Sequence, residues 1–524
     1  SSPLENLGIN GLNTQYNPAT LDPAWLTSAD NIMIRESGRI SFRKGLKQKV
    51  VPSGVAIGSM VEHNDQGTNK IFASHGTSIY TMDFTSPNAA FPSSGADVKH
   101  TVGSTTGNWQ FVNFNNRLHC FHTGVIPQRY DGSLSAGAKW TAHATDPASI
   151  TTLFDPSCGM GFYGRLWVGG VTEAPDVVYY SVLLDGDDWT GTGTGFIDLK
   201  TVWGTDEIVH IAAFFGKLVI FGKNNIAIYD TPDDATNMSL NEVVSGVGLV
   251  NRDTVQAIGD DLVFLSSTGL RSLNRTTEKD KLPLIDYSVN IKDTLIRNIG
   301  QSTEVKSVYL VNEGVYLLTF TATNITYAFD FKQFTPNETP RVTTWSFDND
   351  REPASMIDTE LYSGLLVGQK DGGIAGYEGY FDTDLAWVSS AASYTNSAYI
   401  ADISSIWIKL GEGIAAILKR MVLVLEGGSG ATLGLRWFKD FSPTSSSTTY
   451  INLRPATTGT TSLWGGSGSL YGTSKYSPIY GLREYKTPLS GSAKHVKLNL
   501  SIVSNGYDAS IQDLSIISLQ GKLR

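Results

Sequence analysis

FFGKLVIFGKNNIAIYD (214–230), a polar insert, and GLVNRDTVQAIGDDLVFLSSTGLRSLNR (248–275) write one pattern twice. A short apolar run reaches a turn, Phe215-Gly216-Lys217 in the first copy and Gly259-Asp260-Asp261 in the second. A second apolar run follows at 218–221 and 262–265. A Gly or Asn turn then leads to a third, at 226–229 and 270–273. Apolar runs of this length between turn formers predict strand–turn–strand–turn–strand meanders.

The same unit recurs on both sides. Upstream it is read at 57–84, 109–130 and 160–183; downstream at 305–331 and 354–377. The seven starts at 57, 109, 160, 208, 257, 305 and 354 are spaced 48 to 52 residues apart. Three or four strands per unit at that period predict an all-β chain built as a β-propeller of six or seven blades. A blade cannot bury both its faces alone, and neighbours around an axis do it for one another. The hairpin at 32–42 (IMIRESGRISF) is the expected source of the closing outer strand.

Charge divides the chain further. Residues 1–50 carry 6 Lys+Arg against 4 Asp+Glu, residues 51–397 carry 21 against 39, and residues 398–524 carry 13 against 7. The expected organisation is an arm and closing hairpin at 1–50, the propeller at 51–395, and a sandwich-like C-terminal β-domain at 396–524. Strands are expected there at 400–410, 421–425, 431–438, 496–503 and 511–519, with a short helix at 414–420.

Chemistry is sparse. Nucleophile-elbow, phosphate-loop, zinc-protease and dinucleotide motifs are absent, so no cofactor is expected and the chain reads as a non-enzyme. Cys120 and Cys158 read as small buried hydrophobes. His119, Cys120 and His122 were weighed as metal ligands, but a strand turns His119 away from the other two. Asp185, Asp187 and Asp188 were weighed for calcium and favour a solvated turn. No apolar run approaches a membrane span, and no export signal is visible at Ser1-Ser2. An acidic body argues against a protein that grips nucleic acid.

Several segments resemble the tail nozzle proteins of short-tailed bacteriophages, also called tail tubular protein B or packaged-DNA stabilisation protein. They are GINGLNTQYNPATL (8–21) with ADNIMIRESGRISFRKGL (29–46), RLWVGG (165–170) with DVVYYSVLLDGDDWTGTGTGFIDL (176–199), the stretch 214–273, and the end of the chain, 511–524. The resemblance covers most of the chain, weakly in 280–480, and carries over no catalytic residue. It implies a virion tail protein assembled in the host bacterial cytoplasm. It implies a homo-hexameric ring below the head-to-tail adaptor, carrying tail fibres or spikes. Double-stranded DNA would be retained above it and pass its lumen at ejection without sequence-specific binding. A propeller hydrolase acting on host surface polysaccharide and a monomeric binding propeller are the alternatives.

An acidic lumen would let DNA slide without sticking. Asp185, Asp187, Asp188, Asp233, Asp234, Asp260 and Asp261, all in turns, are the expected channel-facing residues. Leu12, Tyr16, Leu21 and Trp25 in the arm are expected to anchor in a partner's grooves. The Ser/Thr/Gly-rich stretch 441–478 shows no clear strand pattern. It is expected to project and make contacts through Tyr450, Trp464 and Tyr471.

Overall fold

The structure is a computed structural model. It describes residues 2–520 apart from 4–6, 36–37, 83, 85–88, 93, 104–106, 231–232, 234–236, 275–285, 303, 349–350, 363, 381, 389–392, 411–414, 429, 454–481 and 505. Strands dominate. Helix among the described residues is confined to short pieces such as Lys200–Trp203 and Lys292–Gln301.

Seven antiparallel meanders form the blades of a propeller. Their first strands are Ile57–Asp65, Gln110–Phe114, Cys158–Phe162, Ile208–Phe214, Gln256–Ile258, Val305–Leu310 and Pro353–Thr359. Each lies within two residues of its expected start. Blades 1, 2, 3, 4 and 6 have four consecutive strands, and blade 5 has three among the described residues.

The strands read as continuous apolar runs because both blade faces are covered. Leu218, Ile220 and Ala227 of blade 4 pack on Trp167 and Cys158 of blade 3, while Val219, Phe221 and Ile226 pack on Leu262 and Phe264 of blade 5. The ring closes where Leu366 and Ile374 of blade 7 meet Ile57, Ile71 and Ala73 of blade 1. There Ser355 Oγ donates to the Ile57 carbonyl at 2.8 Å.

The closing strand is not the hairpin at 32–42. It is Leu46–Val50, antiparallel to Ile374–Tyr377, with Leu46 opposite Tyr377 and Val50 opposite Ile374. Leu46, Gln48 and Val50 are buried. Lys47 and Lys49 point outward, Lys49 to Glu378 at 2.5 Å. The hairpin Ile32–Ile34 and Ile40–Phe42 instead joins the C-terminal strand Ala509–Gln520, Ile40 opposite Ile511.

That strand belongs to the first sheet of a sandwich, with Ala416–Gly427 and Leu482–Pro488. The expected helix at 414–420 lies in part outside the described residues. From residue 416 onward it is strand, because Ala416, Leu418, Met421, Leu423 and Leu425 face a sheet-lined core rather than a helical stripe. The second sheet holds Trp25–Asp30, Ile400–Ser405, His495–Val503, Thr432–Lys439 and Thr449–Asn452. It runs on into blade 6, since Asp30 pairs in parallel with Thr344 and Gly11 with Val342. Much of the expected free arm is therefore woven between the two β-units.

Candidate functional site

A propeller's ligand commonly sits on its axis, and here the axis is filled. The first strands of blades 1, 2, 5, 6 and 7 line a central cavity of only about 180 Å³. Lys306 Nζ reaches Asp253 Oδ2 at 2.7 Å and also bonds Asn108 Oδ1. Arg252 donates to the Ser157 and Asn108 carbonyls, and Ser307 Oγ to the Asp253 carbonyl at 2.8 Å. Burial pushes the Asp253 carboxyl up, but the charges of Lys306 and Arg252 outweigh it and hold the group well below the ordinary carboxylate range. This network crosses the axis and leaves no passage for a duplex through a single chain.

In each up-and-down blade the first-to-second and third-to-fourth connections share one face. Asp185, Asp187 and Asp188 lie in such a connection of blade 3, Asp233 in that of blade 4, and Asp260 and Asp261 in the first turn of blade 5. The connections that carry all six share one side; Asp234 lies outside the described residues. Glu313, Asp358 and Glu360 lie on that side too, as do Asp65 and Asp131, which are buried and paired with Lys70 and Arg117. Glu173, Asp176, Asp206 and Glu207 lie in connections of the opposite face. Asp233 and Asp260 are exposed. Asp261 is held inward, accepting from Ser272 Oγ and from the Asn274 amide.

Asp187 corrects the expected solvated turn. It is buried between blades 2 and 3, ion-paired to Arg129 and, at 3.3 Å, to Arg117. Asp188 Oδ1 instead accepts from the Thr190 and Gly191 amides, each at 2.9 Å, which lowers its pKa. Asp185 accepts from the Asp187 amide. Arg117 also lies 3.7 Å from Asp185 Oδ1, and the three carboxylates do not form a metal-holding group among the described residues.

Asp187 brings together a trio that sequence spacing could not assemble. His119 Nδ1 lies 3.0 Å from His143 Nε2, and Asp187 Oδ1 lies 3.5 Å from His143 Nε2 and 4.0 Å from His119 Nδ1. A point equidistant from the three is about 2.1 Å from each, a zinc–nitrogen distance. Protonation argues the other way. Trp189 Nε1 can only donate, so His143 Nδ1, 3.2 Å away, must accept. A neutral His143 then carries its proton on Nε2, facing His119 Nδ1, and cannot ligate through that atom. Burial lowers His143 to about 3 and His119 well below its ordinary value, so both are neutral. The trio is a hydrogen-bonded blade junction.

A cleft of about 700 Å³ lies between blade 6 and the sandwich. Arg35, Arg39, Lys332 and Arg341 face Glu313, Asp330, Glu426 and Asp508 across it. Burial raises Asp330 and Asp508, while Glu426 pairs with Arg39 at 2.9 Å.

Among the expected anchors, Leu12 and Trp25 are buried in this chain's own fold, Leu12 in the sandwich core. Their apolar bodies find a pocket within the chain before any partner arrives. Leu21 is half-buried and Tyr16 is 51 % exposed. Tyr450 is 72 % exposed on Thr449–Asn452, a strand inside the stretch read as strandless. Trp464 and Tyr471 lie outside the described residues.

One set of exposed residues was missed. Tyr163, Leu183, Leu184 and Phe215 sit at the tips of blades 3 and 4, on the acidic side. Their signal was a bulky apolar residue beside a turn glycine, in Tyr163-Gly164 and Phe215-Gly216.

No protein-family model and no curated protein matches the chain. Solved structures similar to it include the extracellular domain of a candidate one-component system of B. thetaiotaomicron, at 11 % identity and a TM-score of 0.42, covering 93 % of this chain and 66 % of that one. A second is the WD40 domain of Neurospora crassa Pan2, at 7 % identity and a TM-score of 0.38, covering 64 % and 95 %. The chain thus spans just under two thirds of the first.

Proposed function

We propose that this β-propeller chain is a structural subunit of the tail nozzle of a short-tailed phage, one member of a homo-hexameric ring around the path of ejected DNA. The observation that carries the reading is a propeller whose own axis is filled, with exposed Asp233 and Asp260 and the connection of Asp185 to Asp188 on one face. Such a subunit offers no passage of its own but presents a carboxylate-rich wall to a lumen shared between copies. Phosphates repelled by that wall do not stick, so the duplex slides. The segments at 8–46, 165–199 and 214–273 that resemble the family supply the rest of the support. The head-to-tail adaptor, the tail fibres or spikes and the virion location belong to the same proposal.

Native mass measurement and imaging of the assembled particle test it. The expected result is a closed ring with Asp and Glu outnumbering Lys and Arg on the lumen wall. A lumen lined mainly by Lys and Arg refutes it.

A second reading draws on the cleft at blade 6. Asp330 and Asp508 line this cleft with Glu313 and Glu426, and carboxylates gathered in a cleft are what a hydrolase of surface polysaccharide requires. Release of reducing sugar by the wild type, abolished in Asp330→Asn, would favour it over the nozzle.

A further inference from the structure

Three of the residues at the tips of blades 3 and 4 carry two costs at once. Tyr163 (φ +46°), Leu184 (φ +62°) and Phe215 (φ +47°) adopt the left-handed backbone conformation that bulky side chains avoid. They are also 47 %, 60 % and 66 % exposed, and Leu183 beside them is 54 % exposed. Glycine or asparagine would relieve the first cost and remove the second.

The four form one ridge. A side chain on Gly164 would meet Leu183 Cδ1 at 3.0 Å and Leu184 Cδ2 at 3.3 Å. One on Gly216 would lie 3.2 Å from the Tyr163 hydroxyl. Tyr163 and Phe215 each lean on the preceding aromatic, Phe162 and Phe214, at 4.4 and 4.5 Å between ring centroids. Contiguous exposed apolar surface with aromatic bodies marks an interaction site. Carboxylates flank it: Asp185 and Asp188 follow Leu184 in the chain, and Asp233 is exposed in the neighbouring connection. Lys217, the nearest cation to Phe215 in sequence, is taken up by Asp230 at 2.9 Å.

The chain carries a surface of the opposite kind. On the outer side of the first sandwich sheet, exposed Ile417 stands directly across from exposed Leu519. Exposed Lys419 and Arg420 follow on the same strand, and Lys486 stands across from Val422. Lys486 is shared with Glu484 at 3.1 Å, which leaves Lys419 and Arg420 as the cations beside the aliphatic pair. Aliphatic side chains beside those cations complement aliphatic and aromatic ones flanked by carboxylates.

We propose that the ridge of Tyr163, Leu183, Leu184 and Phe215 docks a second copy of this chain, which seats on it the Ile417–Leu519 face of its sandwich. The two surfaces differ, so the contact is head-to-tail and builds a ring or a filament rather than a two-fold dimer. The inference rests on the ring reading above and adds which surfaces meet.

The test uses the full chain in size-exclusion chromatography with light scattering, wild type against L184N/F215N. Asparagine tolerates the left-handed conformation, so the double variant is expected to melt at the same temperature or higher while associating at least about tenfold more weakly. Arg420→Glu with Lys486→Glu is expected to weaken association likewise. A photo-crosslinking residue at position 215 is expected to capture a peptide from 416–427, 482–488 or 509–520 of another copy. Assembly of L184N/F215N at wild-type strength, or capture of a different segment, overturns the inference and leaves the ring reading standing. A wild type that stays monomeric overturns both.

Discussion

The Arg43 guanidinium lies 4.5 Å from the ring centroid of Tyr399, and the Tyr399 hydroxyl donates back to the Arg43 carbonyl. Arg43 is fully buried. It donates to Asn31 Oδ1 at 2.7 Å, to the Lys44 carbonyl at 2.8 Å and to the Ser346 carbonyl at 3.0 Å. One planar cation thus joins the N-terminal strands, the exit of blade 6 and the entry to the sandwich. Replacing it with Met leaves those carbonyls short of donors and is expected to cost about 3 kcal/mol. Lys, with no planar fork, should recover less than half of that. Urea unfolding measures it; a loss under about 1 kcal/mol would show the junction to be held elsewhere.

Lys306 and Asp253 make the axial plug a paired charge. Lys306→Met leaves Asp253 with Arg252 alone, at 3.4 Å, and is expected to destabilise by about 3 kcal/mol. Adding Asp253→Asn should restore part of that stability, since the under-paired charge is then gone. Equal losses in the single and double variants, followed by thermal unfolding, would deny the coupling.

Burial lowers His210 to about 4, and its Nδ1 is out of reach of solvent without a hydrogen-bond partner. The unfolded chain binds that proton near pH 6.5, whereas the folded chain resists it until about pH 4. The unfolded state therefore holds more protons across this window, and stability falls as pH drops through it. His210→Phe is expected to flatten the acid limb between pH 6.5 and 4 by up to about 1.4 kcal/mol per pH unit. Parallel limbs for wild type and variant, in urea melts at several pH values, would contradict it.

Deleting residues 1–20 removes Gly11 and Leu12, which bridge Val342 of blade 6 and the strand Trp25–Asp30. Leu12 belongs to the sandwich core. The truncated chain is expected to lose about 3 kcal/mol or more and to melt lower. An unchanged melting temperature would return the segment to the role of a free arm.

The propeller was legible because its units repeat: Gly216, Asn225 and Gly269 punctuate apolar runs at a constant period, and every blade start could be placed from that alone. The closing strand was not, because LKQKV alternates polar and apolar residues and looks weaker than IMIRESGRISF. Burial of Leu46 and Val50 is decided by blade 7, far away in sequence. The acidic bias was legible as a number, and the shared side of the connections at Asp185, Asp233 and Asp260 follows from strand direction. The inward turn of Asp187 was not, since its partners Arg117 and Arg129 arrive from another blade. The ridge escaped because Phe215 reads as part of a turn and Tyr163 as the end of a strand, and neither reading speaks to exposure.

The strand that completes blade 7 is made well before the strand it pairs with, Ile374–Tyr377. During synthesis at roughly 5–20 residues per second it waits tens of seconds for Ile374–Tyr377 to exist. Through that interval it is an unpaired edge beside six forming blades, each with an outer edge it could join by mistake. Lys47 and Lys49 are suited to that wait, because lysines on an open edge discourage pairing with the wrong neighbour. Glu378, next to the correct partner strand, meets both of them, at 3.8 and 2.5 Å. The circle is thus timed to shut last, and a nascent chain cut short of blade 7 has nothing to latch.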